Sequence, residues 1–318
     1  MSISVGRKRP LMLAFGATLL ALTVSYVVAS FEWRAIGRLL RDADLAWVLG
    51  ISALTIFVYW LIRAARWAIL LRAAGVHIPF AQLYLWTAIT VGLAIVTPFQ
   101  LGELLKVELL KRSGQLARLP GYGTFLIERA ADLGTVVILS VTSLVVVLGL
   151  PDFGAPAFLL LVGSATVAIV ATVALVVSRR PTLLARFLLQ VGAILADTRA
   201  LSLVILLTFL AWLAAAVGWY ALLRGVGVEI GAIKTVALLS TATMINVLSF
   251  VPGALGVSEV GVSELLFRFG VGTVEGQAGA IAVRIYGLLA VFLGACHFVG
   301  WFVARRFAKP PCLRPAPK

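Results

Sequence analysis

Residues 97–111 read TPFQLGELLKVELLK, and they place a proline, a glycine and four charged residues inside a very apolar chain. Hydrophobic residues make up 62% of the 318 residues and charged residues only 13%. Such a composition is typical of an integral membrane protein. Apolar runs of about twenty residues match helices that cross a hydrocarbon core of roughly 30 Å, whereas barrel strands form short alternating segments. The sequence therefore predicts an all-α membrane protein whose spans are interrupted at residues 97–111.

The apolar segments predict six full transmembrane helices and two re-entrant helical hairpins. The hairpins correspond to the shorter, interrupted stretches 80–112 and 232–269. The segment from Gly102 to Arg112 rises only roughly 16 Å as a helix, about half of the hydrocarbon thickness. The six full spans are predicted near residues 11–30, 45–62, 122–149, 157–177, 202–223 and 278–303.

The basic residues orient this topology. Of the 27 Lys and Arg residues, 19 fall in segments assigned to the cytoplasm, as the positive-inside rule requires. The apolar run Leu11–Ala29 is longer than the core of a typical signal peptide, so we interpret it as an uncleaved first span. We expect a multi-pass protein of the bacterial inner membrane with both termini in the cytoplasm. The net charge of +14 then indicates contact with anionic lipid headgroups rather than with nucleic acid.

An internal repeat organises the chain. LLRAAGVHI at 70–78 and LLRGVGVEI at 222–230 share six of nine residues. In the same register, with small shifts, four further pairs align: Pro98 with Pro252, Gly102 with Gly256, Glu103 with Glu259 and Arg129 with Arg284. We predict a single transmembrane domain, 1–318, that contains a first copy at about 45–149 and a second copy at about 202–303. In the predicted topology the copies are inverted, which is typical of secondary transporters with broken helices near the midplane. Pro98, Gly102, Pro252 and Gly256 are the predicted hairpin breaks.

Charged residues within the predicted membrane segments form the candidate substrate-binding site. Each costs on the order of 2.5–3.5 kcal/mol if it faces lipid near the centre, so we expect them to line one interior cavity. Arg129 and Arg284 are the predicted anion-binding cations, because a guanidinium grips a phosphate by two hydrogen bonds. Helix amino termini at Gly102 and Gly256 would point their positive dipole ends at the same place. The candidate residues are Glu103, Lys106, Glu128, Arg129, Asp132, Glu259 and Arg284.

Simpler interpretations stand beside these. Arg129 and Arg284 lie close enough to the ends of their spans to extend to the interface. Positive-inside residues at the cytoplasmic end of a span explain Arg63, Arg66 and Arg72, with headgroup recruitment as the alternative. Trp47, Trp60, Trp67, Trp219 and Trp301 are interpreted as interfacial belts.

Motifs of other function classes are missing from the sequence. It contains no phosphate-binding Gly-rich Lys-Ser/Thr loop, no His-Glu-x-x-His and no Gly-x-Ser-x-Gly elbow. The two histidines have no partners at ligand spacing, and the two cysteines provide no disulfide framework. We expect no metal, no cofactor and no enzymatic activity.

The stretches RAARWAILLRAAGV, TPFQLGELLKVELL followed by IERAAD, and VPGALGVSEVGVSELL followed by VRIYG resemble the lysylphosphatidylglycerol synthase transmembrane-region family. This resemblance spans roughly residues 10–305 and implies a flippase-like lipid-translocating module, here expected without the synthase domain. Lys106 stands where arginine is common in the family, which keeps the charge but loses bidentate phosphate recognition. The family pattern carries onto Pro98, Gly102, Glu103, Glu128, Arg129 and Asp132, and onto Pro252, Gly256, Glu259 and Arg284.

The predicted function is a lipid transporter or flippase that moves an anionic lipid headgroup across the membrane. Its expected ligand is an anionic phospholipid or a polyprenyl-phosphate-linked lipid, and its oligomeric state is left open. One alternative is a membrane enzyme that acts on a lipid-phosphate headgroup with Glu103 or Glu259 as general base. Another is a non-transporting, lipid-binding partner subunit of a glycolipid or hopanoid pathway.

Overall fold

The computed structural model describes residues 8–114, 118–149, 181–249 and 251–307. These residues form eleven α-helices and two 3₁₀ segments, and they contain no β-strand. Four of the helices are long and apolar enough to cross a membrane, and a fifth span results if one bent helix pair is counted. The prediction of an all-α, multi-pass membrane protein is therefore confirmed. The predicted span at 157–177 lies outside the described residues.

The described part of the chain begins with two helices that meet at a sharp bend. Helix α1 (Lys8–Ser30) covers the predicted first span, 11–30. Helix α2 (Trp33–Asp42) follows it, and the chain bends by 76° between the two. Helix α2 is amphipathic, because it buries Ile36 while its three arginines are exposed. Helix α3 (Leu45–Ala73) is capped by Asp44, whose side chain accepts a hydrogen bond from the Trp47 amide at 3.0 Å. It continues beyond the predicted span of 45–62.

The elements of the two copies follow one another in the same order. A long helix is followed by a 17-residue helix, a 3₁₀ break, a short helix and a second long helix. In the first copy these elements are α3, α4 (Phe80–Val96), the 3₁₀ segment Pro98–Leu104, α5 (Leu105–Arg112) and α6 (Arg118–Leu148). Helix α7 (Pro181–Ala196) precedes the second copy, which consists of α8 (Thr198–Gly225), α9 (Ala232–Leu248), the 3₁₀ segment Pro252–Ala254, α10 (Val257–Arg268) and α11 (Thr273–Phe307).

Both helix breaks fall at a proline followed by a glycine. Proline lacks the backbone N–H and disfavours helical geometry in the residue before it, so α4 and α9 end just ahead of Pro98 and Pro252. A Cβ at Gly102 would lie 2.7 Å from the Ala94 backbone nitrogen, so only glycine allows the chain to fold back onto α4. Gly256 has a φ of 79°, a left-handed conformation that favours glycine.

Helices of one copy pack mainly against helices of the other. Helix α3 packs along α8 at the centre, α6 packs against α9, and α4 packs against α11. At the last crossing a Cβ on Gly92 would lie 3.2 Å from the Cα of Gly294, so these two helices approach backbone to backbone. In the sequence repeat α4 corresponds to α9 and α6 corresponds to α11, so the α6–α9 and α4–α11 pairings are equivalent. Polar residues of both copies are thereby directed toward one interior region.

Candidate binding site

Two arginines of α3 are buried inside the bundle. Arg63 is 3% exposed and Arg66 is fully buried. Arg63 Nη2 donates to Glu103 Oε2 at 2.9 Å and to Asp132 Oδ2 at 3.2 Å. Arg66 Nη1 donates to Asp132 Oδ1 at 2.6 Å and to Thr208 Oγ1 at 2.8 Å. Their interpretation as positive-inside residues was therefore wrong, and α3 extends past residue 62 because carboxylates from other helices compensate both charges.

Four cations and three carboxylates form one buried ionic cluster. Lys106 Nζ lies 3.3 Å from Glu128 Oε2 and 3.6 Å from Glu103 Oε2, and 5.0 Å from the centre of the Trp67 ring. Arg129 Nη2 donates to Glu103 Oε2 at 2.7 Å and to Asp132 Oδ2 at 2.9 Å. Ionised, the cluster carries one excess positive charge. Its members are Arg63, Arg66, Glu103, Lys106, Glu128, Arg129 and Asp132.

The two remaining predicted charges form a separate pair in the second copy. Arg284 Nε donates to Glu259 Oε1, and Arg284 Nη1 donates to the Gly253 carbonyl at 2.8 Å. Glu259 Oε2 in turn accepts from the Gly256 amide at 2.8 Å and so caps α10. The amide that was expected to face a substrate anion therefore has a partner within the chain. At the equivalent glycine of the first copy, the Gly102 amide donates to Thr97 Oγ1 at 2.8 Å.

Each copy uses an arginine of its second long helix to hold the break. Arg129 Nη1 donates to the Gln100 side chain at 3.0 Å, and Arg284 Nη2 donates to the Ala254 carbonyl at 3.3 Å. Gln100 and Ala254 are the non-glycine residues with positive φ in the described part of the chain, at 55° and 49°. The same strained backbone position is thus stabilised by an equivalent arginine in both copies.

A cavity of about 210 Å³ lies between the copies. Of the seven predicted site residues, Glu103 and Arg284 line it. The other five lie behind its wall, in the ionic cluster or in the pair with Arg284. Arg63 lines the cavity as well, although it was not among the predicted site residues. Aromatic side chains of both copies complete the wall, namely Tyr59, Trp60, Trp212, Trp219 and Tyr286.

Several tryptophans have an interior role. Trp60, Trp67 and Trp219 are at most 8% exposed, so their interpretation as interfacial belt residues was wrong. Trp47 is 59% exposed and fits that interpretation. A signal for the interior role was present, because Trp60 and Trp67 recur 152 residues later as Trp212 and Trp219 in the register of the repeat.

The helical bundle with its buried ionic cluster defines a polytopic membrane protein with an internal polar site. Residues 11–295 match the family model described as the lysylphosphatidylglycerol synthase TM region. The chain therefore belongs to this family, as the sequence motifs predicted. A comparison with curated proteins and with solved structures gives no match.

Proposed function

We propose that this protein is a lipid transporter, a flippase, that moves an anionic, phosphate-containing lipid headgroup across the bacterial inner membrane. The headgroup would pass through the cavity between the two copies while the acyl or prenyl chains stay in the bilayer. The observation that carries this proposal is the cavity itself, with Arg63 in the wall of one copy and Arg284 in the wall of the other. Guanidinium groups stay charged at any relevant pH and bind phosphate oxygens in pairs.

The charge balance behind the cavity wall supports an anionic ligand. The ionic cluster has one more cation than carboxylates, and the Glu259–Arg284 pair is neutral. In a medium of low dielectric constant an uncompensated positive charge attracts an anion strongly. A phosphate group in the cavity would supply that anion next to Arg63. Arg129 would act through Glu103, which it contacts at 2.7 Å.

The proposal includes an inverted repeat with a re-entrant hairpin in each copy and cytoplasmic termini. Three observations support it: the common order of elements, the equivalent α6–α9 and α4–α11 pairings, and the shared Glu–Arg pair at each break. Non-helical backbone at membrane depth requires surrounding protein or a wet cavity. The breaks border the cavity here, since Gln100, Gly253 and Ala254 belong to its lining.

We propose transport rather than headgroup chemistry, without a cofactor. The described residues that line the cavity include no histidine and no cysteine. The lining carboxylate Glu103 is bonded to Arg63 and Arg129, which ties it into ion pairs rather than leaving it ready to act as a general base.

The proposal is tested by leaflet-to-leaflet transfer of fluorescent phosphatidylglycerol and phosphatidylcholine in proteoliposomes. We expect faster transfer of the anionic lipid by the wild type, and a loss of that transfer in Arg63→Lys and Arg284→Lys. Lysine keeps the charge but lacks the planar fork. Arg268→Lys is the matched control, because Arg268 also pairs with a glutamate but is exposed on α10. No transfer of either lipid would lead us to test polyprenyl phosphates, and failure with these too would contradict the proposal.

The inverted orientation has its own test. Ser113 and Thr273 are exposed and lie next to the two short broken-helix segments. In a background with Cys296 and Cys312 replaced, Ser113→Cys and Thr273→Cys should react with an impermeant thiol reagent from opposite faces of the membrane. Labelling of both from one face would contradict the inverted repeat.

A further inference from the structure

Helix α2 carries a row of three arginines on the side opposite to its packing face. The apolar face packs on α11, where Ile36 is 2% exposed and belongs to one cluster with Ala278. Residues at spacings of three, four and seven share one face of an α-helix. The arginines follow this spacing and are exposed, and none of them forms an ion pair or a hydrogen bond with another described residue. They are Arg34, Arg38 and Arg41.

The bend ahead of α2 is held by a buried side chain of α11. Gln277, which is 7% exposed, accepts a hydrogen bond from the Glu32 amide at 2.9 Å and donates one to the Ser30 carbonyl at 3.3 Å. Helix α1 covers a predicted span, and α3 contains a candidate span. Because α2 joins these two helices and the chain bends by 76° before it, α2 is directed along the membrane surface.

Two exposed tryptophans flank the row of arginines. Trp33 is the first residue of α2 and is 44% exposed, and Trp47, near the start of α3, is 59% exposed. Exposed tryptophans of membrane proteins are enriched at the level of the lipid headgroups. The row lies between these two residues, so its guanidinium groups are at a depth where phosphate groups can pair with them.

The corresponding helix of the second copy has no such row. Asp44 and Asp197 cap α3 and α8 in the same way, each accepting a hydrogen bond at 3.0 Å from the amide three residues later. These caps lie 153 residues apart, so α2 aligns with the end of α7, which packs on α6 as α2 packs on α11. Packing of a helix at this place therefore does not require arginine. The residues aligned with the three arginines are Phe187, Val191 and Ile194.

We propose that Arg34, Arg38 and Arg41 form an interfacial face that gathers anionic phospholipids of the surrounding bilayer by contact with their phosphate groups. Charge selects these lipids, whatever their headgroup, and they stay in the bilayer beside α2. The inference goes beyond the proposed function and does not depend on it, because none of the described residues of α2 lines the cavity.

Fluorescence quenching in symmetric vesicles tests the inference without requiring transport. In a background with Cys296 and Cys312 replaced, a fluorophore is attached to Gly37→Cys, which shares the face of the arginines and has open space around its added Cβ. Phosphatidylcholine vesicles contain either nitroxide-labelled phosphatidylserine or an equal amount of nitroxide-labelled phosphatidylcholine. We expect phosphatidylserine to quench about threefold more strongly at about 0.1 M salt. The ratio should approach one at about 1 M salt, because the Debye length falls from about 10 Å to about 3 Å.

The triple variant Arg34→Gln, Arg38→Gln, Arg41→Gln removes the charges and keeps residues that favour helix. Its quenching ratio should be about one at low salt. The matched control is a fluorophore on Gly231→Cys, because Gly231 is also exposed and open but precedes α9. The ratio at this control site should be the same with and without the three arginines.

Equal quenching by the two lipids at Gly37→Cys at low salt, or a ratio that survives in the triple variant, would overturn the inference. Quenching by neither lipid would also overturn it, because the arginines would then face water. If the triple variant does not fold, a ratio that stays unchanged at about 1 M salt would contradict the inference just as clearly.

The transfer assay separates this inference from the proposed function. Preferential quenching by phosphatidylserine with no transfer of any lipid would support the inference and contradict transport. Transfer that Arg284→Lys abolishes, together with equal quenching by the two lipids, would overturn the inference and leave the flippase proposal standing.

Discussion

The Glu103–Arg129 pair of the first copy belongs to a network of seven charged residues. The Glu259–Arg284 pair of the second copy instead makes its further hydrogen bonds with backbone groups. The register of the repeat explains the difference. Where the first copy has charged residues, the second has small or apolar ones. The aligned pairs are Arg63 with Ala215, Arg66 with Gly218, Lys106 with Val262, Glu128 with Val283, and Asp132 with Gly287.

This asymmetry is built into the contact between α3 and α8. Arg66 of the first copy donates to Thr208 of the second at 2.8 Å. Gly218, which aligns with Arg66, lies so close to the side chain of Thr55 that a Cβ could not be added without a shift, whereas the register aligns Thr208 with Ile56. Thr208 of α8 therefore contacts an arginine of α3, whereas Thr55 of α3 contacts a glycine of α8. A Glu–Arg pair at the same position of the repeat can therefore belong either to an interior ionic network or to a local helix cap.

Breaking the ionic network should cause the greatest loss of stability. Asp132→Asn keeps the volume but leaves Arg63, Arg66 and Arg129 with two carboxylates, which should cost about 3–5 kcal/mol of stability. Glu259→Gln should cost only about 1–3 kcal/mol, because Arg284 retains its backbone carbonyl partners. Thermal unfolding in detergent measures both. Equal losses would show that a carboxylate of the ionic network stabilises the protein no more than the carboxylate of the isolated Glu259–Arg284 pair.

The second effect concerns the glycines at the breaks. Gly102→Ala places a Cβ 2.7 Å from backbone atoms of α4, and such overpacking should cost about 1–3 kcal/mol. Gly256→Ala should cost about 1–2 kcal/mol more, because its φ of 79° is left-handed and its Cβ would also meet Thr23. Melting temperatures provide the comparison. Gly134→Ala in α6 is the control that should not destabilise, since nothing lies within 4 Å of the added atom.

A third variant tests whether the excess charge of the first copy selects the ligand. Lys106→Met preserves the buried volume and makes the ionic cluster neutral. We expect the preference for phosphatidylglycerol over phosphatidylcholine in the transfer assay to fall by about tenfold, or roughly 1.4 kcal/mol. Lys111→Met, on the exposed side of the same helix, should leave the preference unchanged. An unaltered preference in Lys106→Met would remove the charge balance as an argument for an anionic ligand.

The smallest effects should be identical in the two copies. Arg112 and Arg268 end the short helices at equivalent positions, and each pairs with a glutamate four residues earlier. Because both arginine side chains are more than half exposed, Arg112→Gln and Arg268→Gln should each cost no more than about 1 kcal/mol. Thermal unfolding would contradict this equivalence if only one variant lost stability clearly.

The membrane class and the positions of both helix breaks could be predicted from the sequence. These features depend on composition and on local backbone chemistry, since Pro98 and Pro252 end a helix whatever surrounds them. The motifs also led to the family. The cost of unpaired charges in a membrane led to the prediction that seven charged residues line one cavity. Five of them, Glu103, Lys106, Glu128, Arg129 and Asp132, belong to one ionic cluster, whereas Glu259 and Arg284 form a separate pair.

The extent of α3 and the roles of Arg63 and Arg66 could not be predicted in this way. The carboxylates that compensate them lie 40, 66 and 69 residues farther along the chain. Without those partners, an arginine after an apolar run indicates the end of a span. For the same reason the buried tryptophans of α3 were assigned to the interface.

Hydrophobicity, proline and glycine act within a few residues of the chain, so the sequence predicts a helical membrane protein whose helices break at Pro98 and Pro252. The pairing of the charges, and the choice of those that line the cavity, could be learned only from the folded structure. These pairings depend on the packing of α3, α6 and the two breaks around each other, and a buried charge is stable only where such packing brings its partner within hydrogen-bond distance.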